Sequence, residues 1–261
     1  MRDNRVRAAL KRGEPVIGTL VQEIRSPAIA LMLADAGFDF LFIDMKHGAY
    51  NLETVSDIIK VARLADIVPL VRVPDHLYYL ITYVLDIAAM GVMLSGVETR
   101  ESVERAVALM RYPPLGERSF SLSAANQDTS LSEFIRHANE NILAILQIEH
   151  QSALERIDDL MSAPGVDVVL ISPIDLTLSL GAADFGAPPV QEAVNTLVAA
   201  GKRHGVATGM HAREVEYLKQ WREQGMTMLA CATEVDFIIS GARATVNALR
   251  PRRGPYPLGM L

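Results

Sequence analysis

Eight short runs of apolar, β-branched residues recur along this 261-residue chain, and a longer stretch with helical periodicity follows each run. This alternation is typical of βα units with a parallel sheet, and it argues against an all-β or an all-helical fold. Eight is also the number of strands that closes a (β/α)8 barrel, the TIM-barrel fold. The sequence therefore predicts an α/β protein whose residues 1–249 form a single barrel.

The predicted strands and helices alternate along almost the whole chain. Strands are expected at residues 15–22, 38–45, 67–73, 91–97, 143–149, 166–172, 206–211 and 226–233. Helices are expected at residues 28–36, 52–65, 77–88, 100–111, 153–162, 189–204, 213–224 and 235–249. A Pro- and Ser-containing insertion at 112–127, followed by a short helix at 131–139, needs an unusual path or a neighbouring subunit. The proline-containing tail 250–261 is either a frayed terminus or an oligomer contact.

The composition of the chain limits the partners that it can bind. Its formal net charge is -6 at pH 7 and its lysines and arginines form no long run, so a nucleic-acid surface is not expected. The longest apolar stretches have the length of strands and no charged-then-apolar leader is visible, so we expect neither a transmembrane helix nor a signal peptide. These observations favour a cytoplasmic protein that acts on a small, anionic and metal-chelating substrate.

Two acidic residues directly follow neighbouring predicted strands. Glu149 ends the run Leu-Ala-Ile-Leu-Gln-Ile-Glu, and Asp175 follows the run Val-Val-Leu-Ile-Ser-Pro-Ile one βα unit later. If the strands are parallel neighbours about 4.8 Å apart, both carboxylates emerge at the same rim and can share one hard cation. Both acids can also be helix N-cap residues, where the helix dipole stabilises a negative charge.

Further polar residues end predicted strands, and active sites of barrels lie at the carboxyl ends of the strands. The polar residues at this rim are Asp44, His47, Arg72, Gln147, Glu149, Ser172, Asp175 and His211. For three of them the residues alone leave alternatives open. Arg72 can also form a structural pair with a neighbouring acid, His47 can also be a solvated loop histidine, and the role of His211 is ambiguous.

An ordered set of motifs resembles the HpcH/HpaI aldolase family, the metal-dependent class II pyruvate aldolases. The resemblance covers roughly residues 5–249. The motifs are Gly37-Phe38-Asp39, Ile43-Asp44-Met45-Lys46-His47-Gly48, Val71-Arg72, Arg111-Tyr112-Pro113-Pro114 with Gly116-Glu117-Arg118, Gln147-Ile148-Glu149 and Ser172-Pro173-Ile174-Asp175-Leu176. The resemblance implies a (β/α)8 barrel whose last helix is exchanged between subunits, in a homohexamer built as a trimer of dimers.

The resemblance also implies a reaction and the residues that carry it. A divalent ion, commonly magnesium, manganese or cobalt, maps onto Glu149 and Asp175. The expected reaction is the reversible cleavage of a 4-hydroxy-2-oxo acid into pyruvate and an aldehyde, in which the ion acts as a Lewis acid. The remaining implied roles are enolate stabilisation by Arg72, proton abstraction by His47 with Asp44 orienting its ring, and substrate binding by Gln147, Ser172 and Pro173.

Several residues depart from the usual family pattern. Lys46 stands where the family has a carboxylate beside the histidine, Ser172 replaces a glycine and Ile174 is bulkier than its usual counterpart. We expect Lys46 to point either toward His47, where it would repel a protonated imidazole, or into solvent or a subunit interface. Two alternatives to the aldolase follow: a lyase acting on a CoA thioester, as in citrate and malyl-CoA lyases, and a barrel that has lost catalysis and serves as an oligomeric binding protein.

Overall fold

Eight parallel strands close into a barrel in which each strand pairs with its neighbours in sequence and the last strand pairs with the first. The computed structural model describes residues 2–121 and 130–250. The strands are β1 (Val16–Val21), β2 (Phe40–Asp44), β3 (Val68–Val73), β4 (Gly91–Ser95), β5 (Leu143–Ile148), β6 (Val168–Ile171), β7 (Ala207–Ala212) and β8 (Met228–Thr233). The predicted barrel and its eight strands are thus confirmed.

The helices surround the barrel and differ from the prediction in three places. They are α1 (Arg5–Lys11), α2 (Ala28–Asp35), α3 (Leu52–Leu64), α4 (Tyr78–Asp86), α5 (Arg100–Met110), α6 (Leu131–Asn141), α7 (Gln151–Glu155), α8 (Ile157–Met161), α9 (Pro173–Ser179), α10 (Pro188–His204), α11 (Val215–Glu223) and α12 (Glu234–Leu249). The short helices α1 and α9 were not predicted, because seven residues show too little periodicity. The predicted helix at 153–162 is wrong as one element, since Arg156 leaves the helical conformation at φ -110° and ψ 18°.

Side chains that alternate along the strands fill the barrel interior. Phe40 and Phe42 of β2 lie there with ring centroids 5.1 Å apart, in one buried cluster with apolar residues of the other strands. Position 18 of β1 requires glycine, because a Cβ atom there would lie 2.3 Å from the Phe40 ring. Val6 and Leu10 of α1 join the same cluster. The amino-terminal end of the barrel is therefore closed by apolar side chains, and polar chemistry is left to the other end.

Helix α12 contacts β1 and β8 near its start and then extends away from the barrel. It begins at a capping box formed by Thr233 and Asp236, whereas residues 241–250 are all exposed. Its apolar residues Ile238, Val246 and Leu249 are exposed as well. Exchange of this helix between subunits stays a prediction.

Parts of two predicted segments lie outside the described residues. These parts are residues 122–127 of the insertion and residues 251–261 of the tail. Among the residues that are described, no helix is long and apolar enough to cross a membrane.

Candidate active site

A layer of polar side chains lies above the apolar interior, at the carboxyl ends of the strands. Its residues continue the inward-facing positions of the strands: Gln22, Asp44, Arg72, Ser95, Gln147, Glu149, Ser172 and His211. Strand register brings two pairs of them side by side, because Asp44 is opposite Arg72 and Ser95 is opposite Gln147. The structure therefore gathers six of the eight predicted rim residues in this layer, together with Gln22 and Ser95, which sequence reasoning missed.

Asp44 and Arg72 form a buried, two-point ion pair. Nε of Arg72 donates to Oδ1 of Asp44 at 2.8 Å and Nη2 donates to Oδ2 at 2.5 Å, while Nε2 of Gln22 donates to Oδ2 at 2.6 Å. Burial opposes ionisation of Asp44, but the hydrogen bonds and charge of Arg72 outweigh burial and hold the pKa of Asp44 below its usual range. Nη1 of Arg72 makes no hydrogen bond to any described residue, so a ligand could accept a hydrogen bond from it.

Asp44 was expected to orient the ring of His47, but in the structure it binds Arg72 and the backbone of the loop after β2 instead. Oδ1 of Asp44 accepts the backbone N–H groups of Lys46 and His47, at 2.9 and 3.3 Å, and the hydrogen bonds of the described residues include none between this carboxylate and the imidazole. His47 lies exposed in the bend between β2 and α3. The reason is that both oxygens of Asp44 already serve Arg72, which is the structural pairing that the sequence left open. The role of His47 as the base stays a prediction.

Lys46 spans the mouth and binds Glu149. Its Nζ lies 2.7 Å from Oε1 of Glu149, and the two side chains are 25% and 4% exposed. Lys46 follows β2 and Glu149 follows β5, three strands further around the ring of eight. Neither expected direction for Lys46 is correct, since the ammonium contacts the carboxylate that was predicted to hold a metal ion. Glu149 is not the cap of the following helix, because α7 is capped at His150.

Asp175 lies in the first turn of α9 and binds the residue that precedes the helix. Oγ of Ser172 donates to Oδ2 of Asp175 at 2.5 Å, and Pro173 is the first helical residue. Asp175 is partly exposed. Asp175 therefore stands inside the first turn of α9 rather than at its N-cap, which is Ser172.

The side-chain oxygen of Gln147 accepts a hydrogen bond, whereas its amide nitrogen has no partner among the described residues. Its Oε1 accepts the hydroxyl of Ser95 at 2.9 Å, and both side chains are buried. The amide nitrogen of Gln147 makes no hydrogen bond to a described residue. An amide has two N–H donors in addition to its oxygen, so Gln147 can donate to an oxygen of a ligand in the mouth.

The two carboxylates fit a magnesium-type ion. Glu149 and Asp175 follow the neighbouring parallel strands β5 and β6, and such ions are commonly held by one or two carboxylates while waters and substrate oxygens complete the shell. An ammonium already lies against Glu149, which shows that this carboxylate accepts a positive charge. Within residues 2–121 and 130–250, no group of three or more potential His, Cys, Asp or Glu ligands is present, so a cage built entirely of protein ligands is not supported there.

His211 lies in the mouth and is hydrogen-bonded to the backbone of β8. Its Nε2–H donates to the carbonyl oxygen of Ala232 at 3.1 Å. Burial lowers the pKa of His211, and the charge of Arg72 lowers it further, although the bond to Ala232 acts in the opposite direction. The ambiguous histidine of the sequence therefore links β7 to the end of β8.

Glu234, which the sequence did not single out, holds the backbone of the segment that follows β1. This first residue of α12 is buried, and its Oε1 accepts the backbone N–H groups of Gln22, Glu23 and Ile24 at 2.9, 2.7 and 3.0 Å. Gln22 in turn binds Asp44. In the sequence, Glu234 reads as an ordinary acid of a first helical turn, so no signal in the pattern could reveal these long-range contacts.

A cavity of about 640 Å³ opens at the opposite end of the barrel. It is lined by residues before β4 and β5 together with Arg2, Arg63 and Arg118. The polar layer and the carboxylate pair are absent from its described lining. The carboxyl-end mouth is therefore the candidate active site, because the groups able to perform chemistry converge there.

Comparison with known proteins gives matches over nearly the whole barrel. A profile of the HpcH/HpaI aldolase/citrate lyase family matches residues 22–241. The hydroxypyruvate/pyruvate aldolase of Paraburkholderia phytofirmans is 31% identical over 255 residues, covering 95% of this chain and 98% of that protein. The 5-keto-4-deoxy-D-glucarate aldolase of Salmonella paratyphi C is 32% identical over 89% of this chain and 91% of that protein. The crystal structure of an HpcH/HpaI aldolase from Desulfitobacterium hafniense has TM-score 0.90 and 30% identity, covering 96% of this chain and 98% of that chain.

Proposed function

The chain belongs to the HpcH/HpaI aldolase/citrate lyase family, and from this premise we propose that it is a divalent-metal-dependent pyruvate aldolase. It is a carbon–carbon lyase that performs reversible aldol cleavage to pyruvate. The observation that carries the proposal is the mouth itself, where an arginine fixed by Asp44 lies in one polar layer with the carboxylate Glu149, and Asp175 follows the neighbouring strand. The substrate is a 4-hydroxy-2-oxo acid, and the second product is an aldehyde.

Glu149 and Asp175 would hold the divalent ion, which we propose to be magnesium, manganese or cobalt. When bound, the ion supplies Lewis-acid polarisation of the 2-oxo acid. Hard divalent cations of this size prefer carboxylate oxygens and keep open positions for a substrate. Asp175 receives only a hydroxyl hydrogen bond from Ser172, so this ligand carries no competing positive charge from a described side chain.

Cleavage breaks the C3–C4 bond of the substrate. Residues of the protein stabilise the negative charge that develops and accept the proton that is released. A base takes the proton of the C4 hydroxyl, the C4–O bond becomes the aldehyde carbonyl, and the electrons of the C3–C4 bond form the enolate of pyruvate. Arg72 stabilises the enolate oxygen with a permanent positive charge held in place by Asp44. Gln147 donates an N–H to the substrate, and His47, directly or through water, takes the hydroxyl proton. Protonation of the enolate at C3 then gives pyruvate.

We also propose that the active protein is a hexamer built as a trimer of dimers, with α12 exchanged between subunits. The exposed apolar residues Ile238, Val246 and Leu249 support this proposal, because an extended helix with an apolar stripe gains stability by packing against another surface. The cytoplasmic location expected from the sequence stays a prediction.

A pyruvate-release assay on a panel of 4-hydroxy-2-oxo acids tests the function. Protein treated with EDTA should lose activity and regain it when manganese or cobalt is added, since the proposed site is open and exchangeable. Glu149→Ala should be inactive with every ion. Glu223→Ala, which removes an exposed carboxylate of α11, is the matched control and should behave as the wild type.

Two further assays separate the alternative functions. Condensation of oxaloacetate with acetyl-CoA, in the absence of pyruvate release, would favour the CoA-thioester lyase. Binding of 2-oxo acids without turnover of any substrate would favour a barrel that has lost catalysis. Full activity in EDTA-treated protein or in Glu149→Ala would contradict the metal-dependent mechanism.

A further inference from the structure

The ion pair between Lys46 and Glu149 is unusual for its position. It joins residues that follow strands three apart in the ring of eight, at a distance of 2.7 Å, and its carboxylate is almost fully buried. Glu149 is also one of the two residues that would hold the divalent ion. A lysine side chain that crosses an active site to reach a metal ligand requires an explanation in terms of that site.

We propose that Lys46 is a built-in competitor of the divalent ion: its ammonium occupies the cation position at Glu149 and must be displaced when the ion binds. This inference rests on the proposed metal-dependent function. It assigns to Lys46 a role that no other residue of the mouth has, namely setting the ion concentration at which the enzyme becomes loaded.

The competition follows from the charges and from the length of the ligand bonds. An ion of the magnesium type lies about 2.0–2.6 Å from its carboxylate oxygen, so an ion at either oxygen of Glu149 would lie within a few ångström of Nζ. A single positive charge and a double positive charge repel strongly at that separation in a poorly solvated site. Glu149 cannot satisfy both cations as fully as it satisfies one, and binding of the ion requires the ammonium to withdraw.

Lys46 is the partner that is able to move. Its side chain is 25% exposed, compared with 4% for Glu149, and a lysine stem has four carbons and many rotamers. Glu149 directly follows β5, whose backbone is fixed by pairing with β4 and β6. The free protein is therefore held with Lys46 across the mouth, and the ion-loaded protein has the ammonium turned away from Glu149.

Direct measurement of manganese binding tests the inference without relying on catalysis. Free Mn²⁺ is titrated by electron paramagnetic resonance against EDTA-treated wild type, Lys46→Met and Lys46→Arg. Methionine keeps much of the volume but removes the charge, and we expect about tenfold to hundredfold tighter binding, the range that corresponds to one hydrogen bond between charged groups. Arginine keeps the charge and should bind manganese nearly as weakly as the wild type.

Two further variants complete the design. Lys60→Met removes an exposed lysine whose pair with Asp57 is far from the mouth, and it should leave the affinity unchanged. Lys46→Gln repeats the neutral substitution with a polar side chain, in case the methionine variant does not fold. At equal ion concentration, both neutral variants at position 46 should also show a larger manganese-induced rise in Tm than the wild type, because stabilisation grows with affinity.

The outcomes separate this inference from the proposed function. Equal manganese affinity in the wild type and in both neutral variants would show that Lys46 is only a structural partner of Glu149, and would leave the metal site intact. Weaker binding in those variants would overturn the inference in the opposite sense, by showing that Lys46 assists the ion. Absence of binding in every protein, including the wild type, would overturn the metal-dependent function and the inference with it.

Discussion

Replacing Asp44 with asparagine tests how strongly the buried pair with Arg72 stabilises the mouth. The carboxylate is fully buried and accepts two hydrogen bonds from Arg72, one from Gln22 and two from backbone N–H groups. Asparagine keeps the shape of the side chain, but its amide nitrogen would face a hydrogen-bond donor instead of accepting from it. The charge of Arg72 would also be left unpaired. Since removing one partner of a buried pair costs about 3–5 kcal/mol, we expect a loss of that size in the free energy of unfolding and a fall in Tm of roughly 6–20 °C.

Urea unfolding at pH 7 measures this loss in a double-mutant cycle with Arg72→Met. The double variant carries neither charge, so its loss should be smaller than the sum of the two single losses by about 2 kcal/mol or more. Asp66→Asn is the matched control, because Asp66 is 79% exposed and lies 3.8 Å from Arg2, and an exposed pair contributes about 0–1 kcal/mol. A loss as small as that of the control, or strictly additive losses in the double variant, would refute the reasoning.

The pH dependence of the same variant provides a second check. The folded-state pKa of Asp44 lies below its usual range, because Arg72 and Gln22 outweigh the effect of burial. A carboxylate of this kind contributes stability that is fully present above its unfolded-state pKa and is lost as the pH falls through its folded-state pKa. The difference between wild type and Asp44→Asn should be largest near neutral pH and should shrink on acidification below about pH 4. A difference that stays constant in acid would contradict the assignment.

Two further substitutions test how the site is held. Arg72→Lys should lower kcat on the order of tenfold to a hundredfold in steady-state assays. The reason is that a point charge cannot bind Asp44 in two places and reach the substrate as well. An unchanged kcat would mean that Arg72 is only structural. Glu234→Ala should lower the free energy of unfolding by about 3 kcal/mol, since three hydrogen bonds to a buried carboxylate are lost. It should lower kcat as well, because Gln22 is released. A loss of stability with wild-type kcat would show that Glu234 does not act on the site.

The barrel and its polar rim were predictable because both depend on local patterns. The eight strands show as apolar runs, and the alternation of side chains along a strand fixes which residues face inward. Arg72 therefore follows Leu70 into the interior, and Gln147 follows Ile145. Once the strands are parallel and adjacent, the residues at their carboxyl ends must meet at one mouth, whatever the details of the loops.

The partners of these residues were not predictable, because loop geometry decides them. Sequence reasoning paired Asp44 with His47, its near neighbour in the chain, whereas the structure pairs it with Arg72 through strand register. The loop after β2 also turns closely: a Cβ atom at Gly48 would lie 2.2 Å from the carbonyl oxygen of Asp44. This turn accompanies an exposed His47 and a Lys46 that extends across the mouth. The pattern of residue types in the sequence does not show how this loop turns, and so it does not show where His47 and Lys46 point.

Arg72 is connected to helix α12 by an unbroken path of hydrogen bonds. Glu234 holds the backbone at Gln22, the side chain of Gln22 binds Asp44, and Asp44 binds Arg72. Oε2 of Glu234 is buried without a hydrogen-bond partner among the described residues, and an unsatisfied buried oxygen is destabilising. In return, Arg72, the cation proposed to stabilise the enolate, is held in a fixed position by Asp44. The helix that starts at Glu234 is also the one whose far half extends from the barrel with exposed apolar residues, so the proposed packing of α12 against another subunit and the geometry of Arg72 would share one support.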